Sequence, residues 1–129
     1  MRRLALFAVL LIGTVAANPI NRKSIFLDKM DGFETFIEKA AAQQDFPLEL
    51  LEEAEHPDLK VLLGKKFTSV HAEVLYQKQT GRKENSRLTV VDTKTQKSIM
   101  THDFNMGADD ATKQRAADHF VKKLKDAIR

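Results

Sequence analysis

"KSIFLDKMDGFETFIEKAAAQQ", Lys23 to Gln44, carries an apolar strand-like run straight into a helix-like run, with Asp31 and Gly32 at the joint. Ile25, Phe26 and Leu27 form a short unbroken apolar segment, the pattern of a strand covered on both faces, and predict β-structure over 24–30. Phe33, Phe36, Ile37, Ala40 and Ala41 then recur at spacings of three and four, which predicts an amphipathic helix with Asp31 as its cap. A strand-to-helix turn containing glycine is also where many α/β proteins hold anions. That use needs several glycines or a run of free amides, whereas Gly32 stands alone between Asp31 and Glu34, whose charges repel an anion. The joint therefore reads as a corner, not a site.

Working outward, Pro47 halts the helix, and Leu48, Leu50 and Leu51 suggest a second strand, with Glu49, Glu52 and Glu53 leaving a helix open. The pair His56-Pro57 disfavours helix immediately before the proline, so Leu59 to Leu63 reads as another short strand ending at Gly64. Val70, Ala72, Val74 and Tyr76 alternate with His71, Glu73 and Leu75. Leu88 to Val91 and Ile99 to Phe104 follow, separated by "DTKTQK", and the three segments predict an antiparallel meander. Asp109 and Asp110 open a last helix, Lys122, Lys123 and Lys125 close it, and Ala116, Ala117, Phe120, Val121, Leu124 and Ile128 make one apolar stripe. The order β-α-β-(β)-β-β-β-α predicts an α/β (α+β) fold, a two-layer sandwich whose mixed sheet of about four to six strands carries two helices on one face.

The chain opens "MRRLALFAVLLIGTVAANP": Arg2 and Arg3, an apolar run from Leu4 to Val15, then small residues. This is the pattern of an export signal over 1–17, cut after Ala17, with an apolar stretch shorter than the roughly 20 residues a membrane span needs. Residues 18–129 are then expected to form one domain, secreted or periplasmic. The whole chain has 21 Lys+Arg and 18 Asp+Glu, a net charge of +3, and two of those arginines lie in the first 17 residues. What remains is close to neutral, which gives no general pull toward nucleic acid or anionic lipid. The absence of cysteine excludes disulfides, thiol catalysis, thiolate zinc sites and a lipid-modified amino terminus, so an exported domain must be held by its core.

Three groupings carry chemistry. "EEAEHPD", Glu52 to Asp58, is rich in oxygen ligands, yet it lacks calcium-loop spacing, an HExxH motif or a second nearby histidine, and it reads as a solvated acidic loop. His56, His71, His102 and His119 are scattered; His102 and Asp103 are neighbours on an expected strand and so point to opposite faces. No Gly-x-Ser-x-Gly elbow accompanies them, so neither catalytic residues nor a metal or other cofactor is expected. "QKQTGRKENSR", Gln77 to Arg87, concentrates Lys78, Arg82, Lys83 and Arg87 against Glu84 alone at a hairpin tip. These four are the candidate partner-binding residues, suited to an acidic surface; without aromatics or a continuous basic face they do not suit nucleic acid.

With "SIFLDKMDGFETFIEKA" near the start, "LTVVDTKTQKSIMTHDF" in the meander and "KQRAADHFVKKLKDAI" at the end, the chain resembles small secreted bacterial proteins of unknown function. Their strand-helix pattern is similar to that of periplasmic α/β domains such as the amino-terminal domain of TolB and the soluble domain of the curli-secretion lipoprotein. The curli-type lipoproteins are anchored through a cysteine, which this chain lacks. The resemblance implies a non-catalytic binding or assembly module of the cell envelope, meeting another envelope protein or an acidic polymer. The alternative is a small secreted hydrolase or metal-dependent enzyme using His71, His102 and nearby carboxylates.

Overall fold

The computed structural model describes residues 23–65, 69–78 and 85–128. The expected export signal over 1–17 and the polar segment Asn18 to Arg22 lie outside the described residues. The first strand is the apolar run expected from sequence, β1 (Ser24–Leu27), and every residue of it is buried. Residues 28–30 leave the strand and lead into a helix, α1 (Phe33–Gln43).

The joint is a corner, as expected, but Asp31 does not cap the helix. Asp31 and Gly32 both adopt left-handed backbone conformations, with φ of 54° and 94°. The Asp31 carboxylate is carried away to Lys78 Nζ at 3.1 Å and the Tyr76 hydroxyl at 3.4 Å. Turn hydrogen bonds do the capping instead. Phe33 N–H donates to the Met30 carbonyl, Thr35 N–H to that of Gly32, and Glu34 Oε2 accepts from Met30 N–H at 3.3 Å. Two successive positive φ values explain why a glycine stands here, since only it takes that conformation without strain.

After α1 come β2 (Glu49–Glu52), α2 (Pro57–Gly64), β3 (Ala72–Lys78), β4 (Asn85–Asp92), β5 (Ser98–Asn105) and α3 (Asp110–Ala127). The strand reading of Leu59 to Leu63 is overturned, because that segment is the helix α2. Pro57 occupies its first turn, where the missing N–H is not needed and the fixed φ is already helical. The restriction a proline imposes falls on His56, which sits outside the helix with φ −136° and ψ 60°.

The strands form one mixed sheet in the order β2-β1-β3-β4-β5. β1 runs parallel to both β2 and β3, and β3, β4 and β5 form the expected antiparallel meander. The chain steps from β1 outward to β2, then back across β1 to β3. Crossovers of one hand that travel in opposite directions must place their helices on opposite faces, and this pair does.

On one face α1 and α3 pack over Ile25, Leu27, Ala72, Val74, Leu88, Val90 and Phe104, forming the main core. Phe33 stacks on Phe104 with ring centroids 4.1 Å apart. On the other face α2 presents Leu59 and Leu63 to Phe26, Leu51 and Val70, a second, smaller core. The expected pair of helices on one face is thus present, and α2 adds cover to the parallel end of the opposite face. Asp109 caps α3 by accepting from Thr112 N–H at 2.8 Å. The "DTKTQK" turn closes as Asp92 Oδ1 accepts from the N–H groups of Lys94 and Thr95. Among the described residues no helix is long and apolar enough to cross a membrane.

Candidate functional site

The basic hairpin is the first place to look. β3 and β4 are its arms, and Lys78 and Arg87 stand at their ends; Arg82 and Lys83 lie outside the described residues. Both described bases already have acidic neighbours. Lys78 pairs with Asp31 across the end of the sheet at 3.1 Å. Arg87 lies directly opposite Asp103 in the β4–β5 register and makes a two-point contact, Nε at 2.7 Å and a second guanidinium nitrogen at 3.1 Å. The guanidinium holds the Asp103 carboxyl below its ordinary value. The positive focus inferred from composition is therefore partly neutralised by acids that are distant in sequence.

The enzyme alternative needs His71, His102 and the acidic loop together, and the fold keeps them apart. His71 precedes β3 and lines a cavity of about 220 Å³ with Lys23, Ser69, Val70, Asp92 and Lys94. His102 sits opposite Leu88, whose own partner on β3 is Tyr76, four residues along from Ala72. His71 is one residue further still, and at about 3.3 Å per residue this offset sets the two backbones roughly 16 Å apart along the strands. Glu52 ends β2 and the rest of its loop follows, at the far edge of the sheet from β5. Among the described residues no group of three or more His, Asp or Glu side chains is arranged to hold a metal.

His102 instead meets His119. They line an open groove of about 370 Å³ between β5 and α3, with Asp103, Phe104, Asn105, Thr112, Arg115 and Ala116. His102, on the inner face of β5, packs 5.8 Å from the Phe120 ring, and the Ala116 carbonyl accepts a hydrogen bond from it. Burial holds this imidazole below its ordinary value, and positive charge on Lys123 and His119 lowers it further. Arg115 is steadied by a bond to Thr112 Oγ1 at 3.1 Å. The nearby acids are engaged elsewhere: Asp103 by Arg87, and Asp109 by the helix amide it caps.

Sequence reading missed a third grouping, because it depends on α2 being a helix. Beyond β1, in an open α/β sheet, lies the switch point where the chain reverses its direction across the strands and ligands commonly bind. Near that place Lys60 of α2 has its Nζ 2.8 Å from Asp28, just past the end of β1, and 2.5 Å from Glu73, which pairs with Phe26 within the sheet. Burial and a hydrogen bond to Asp28 raise Glu73 from 4.5 to about 7, against the opposing pull of Lys60. The same ion pairs raise Lys60, so the ammonium is held charged between the two acids.

On α1, Glu38 is raised further, from 4.5 to about 8, by burial, by a hydrogen bond to Glu52 and by the charges of Glu52 and Glu55. The unfolded chain releases this proton near 4.5 and the folded chain near 8, so the folded state binds more protons in between and stability falls as pH rises through that window. Glu38→Gln removes the conflict. It is expected to stabilise the domain at pH 8 by about 1–2 kcal/mol, less than the full shift implies because the group is partly open to solvent. At pH 4 it should be nearly neutral. Denaturant melts at the two pH values check this, and equal effects at both would contradict it.

No protein-family model matches the chain, and no curated protein or solved structure does either.

Proposed function

We propose that this chain is an exported, non-catalytic binding or assembly module of the bacterial cell envelope, and that it meets another envelope component along β5. The observation that carries this reading is the edge. β5 is eight residues long and ends the sheet; among the described residues it pairs with β4 alone, which leaves the other side of its backbone ladder open to them. Such an edge is a template for an added strand, and proteins that do not use it usually shorten it or cover it. The ionisable groupings support the non-catalytic half. Lys60, Arg87 and Lys78 are each held by carboxylates, and His71 and His102 line separate cavities. The export half rests on the pattern of residues 1–17.

The hairpin bases Lys78, Arg82, Lys83 and Arg87 assist by drawing an acidic partner toward the adjoining edge. Attraction of this kind acts over about 8–10 Å at ordinary salt and chiefly raises the rate of encounter.

Proline substitution tests the edge. Along a strand successive N–H groups point alternately to opposite sides, so of Met100→Pro and Thr101→Pro one breaks the β4 ladder and the other blocks only the open side. The variant that keeps its melting temperature is the edge-blocked one. It is expected to lose capture of the envelope partner that the unaltered residues 18–129 retain. Undiminished capture by that folded variant would contradict the proposal.

A further inference from the structure

The groove between β5 and α3 has a property that its place on the inner face does not explain. Four consecutive β5 residues line it, His102 to Asn105, although alternate side chains of a strand point to opposite faces. A cavity touched by both sets must open onto the backbone edge of the strand. Its floor is apolar, with Phe104 only 8% exposed and Ala116 half-buried beside it. Beside Asp103 and the neutral Asn105 and Thr112, it carries three basic side chains, Arg115 and His119 from α3 and His102 from β5, with Lys123 close enough to act on His102. The acid on the same stretch, Asp103, is tied to Arg87.

We infer that this groove is a carboxylate pocket, which takes an acidic side chain of an extended peptide added to the β5 edge. The inference rests on the reading of β5 as the partner edge and adds the partner's chemistry. A carboxylate fits for three reasons. The guanidinium of Arg115 matches it in shape and charge. The apolar floor suits the methylenes that carry such a group. The first turn of α3, a place where free amides cradle phosphates, is already capped by the negative Asp109. Anchoring through one side chain also sets the register of the added strand, which main-chain bonds alone leave free to slip.

The pocket explains why a basic environment is kept around a half-buried imidazole. Burial and the charges of Lys123 and His119 from α3 oppose protonation of His102, while the Ala116 carbonyl and Asp103 on its own strand favour it. A bound carboxylate offsets the positive charges, so His102 gains a proton more readily when the groove is filled.

The test uses residues 18–129 and a blocked octapeptide of alternating Val and Glu, with a Val/Lys octapeptide as its control, followed by NMR of β5 amides and of the imidazoles. The Val/Glu peptide is expected to shift the Ser98 to Asn105 amides, to raise the titration point of His102, and to bind more weakly as salt increases. Arg115→Glu should weaken binding by at least about tenfold, with Arg115→Lys intermediate, while leaving the melting temperature unchanged. If the Val/Glu peptide shifts β5 equally in the unaltered protein and in Arg115→Glu, the edge reading stands and the carboxylate pocket is overturned. If neither peptide shifts β5 at millimolar concentration, the edge reading falls and the pocket with it. Glutarate alone shifting the imidazoles, with the Val/Glu peptide leaving β5 unmoved, would mean a small-anion site and would overturn the peptide as occupant.

Discussion

Phe120→Ala is expected to destabilise the domain by about 3–5 kcal/mol, the range for deleting a fully buried ring. Phe120 has no solvent exposure, and Ala117, Val121 and Leu124 beside it on α3 are buried with it. Its ring lies over β5 near His102. Around it α3 is also fixed by polar bonds: Gln114 Nε2 donates to the Phe36 carbonyl, and Lys125 Nζ to that of Gln44. These bonds hold the helix in place while the cavity forms, which limits collapse and keeps the loss near the upper part of the range. For a domain of this size the loss corresponds to a fall in melting temperature of roughly 10–20 °C. Lys122→Ala, on the exposed face of the same helix, should change little. An unchanged melting temperature in Phe120→Ala would show that the stripe does not close the core.

Phe26→Ala is expected to cost a similar amount, about 3–5 kcal/mol, but through the opposite face. Phe26 is fully buried, and its neighbours are Leu51, Leu59, Leu63 and Val70. Among the described residues few build this second core, and α2 contributes two of them, Leu59 and Leu63. Amide exchange is therefore expected to quicken across Pro57 to Gly64 while α3 keeps its protection. Uniform loss of protection in both helices, with no preference for α2, would mean that the two faces unfold as one unit. The same substitution should release Lys60 from its position between Asp28 and Glu73, since α2 is what carries it there.

Different elements were legible to different degrees. The helix α3 could be read because its cap, its apolar spacing and its closing lysines all agree, and the meander because alternation and turn residues coincide. The strand reading of Leu59 to Leu63 failed on one misplaced restriction. Pro57 constrains the residue before it, not the helix it begins, and a short apolar run does not by itself distinguish strand from helix. That error hid the second core, and with it the Lys60 cluster. The capping role given to Asp31 failed because a left-handed backbone turns its carboxylate toward Lys78.

Of the candidate surface, the charges of Lys78 and Arg87 were visible, while their acidic partners were not. Asp103 reaches Arg87 only through the β4–β5 register, which no local pattern encodes. His102 and His119 were both noticed as single residues. Their convergence depends on where α3 crosses β5, and only the packed structure brings them together.

Amide hydrogen exchange on the domain bound to its captured envelope partner is the most direct measure of the central claim. Protection gained over Ser98 to Asn105, together with the α3 residues Thr112 to His119 that border the groove, is the result expected of a module that adds a partner strand at β5. Protection confined to the Lys78 to Arg87 hairpin, with the β5 amides exchanging as fast as in the free domain, would contradict it.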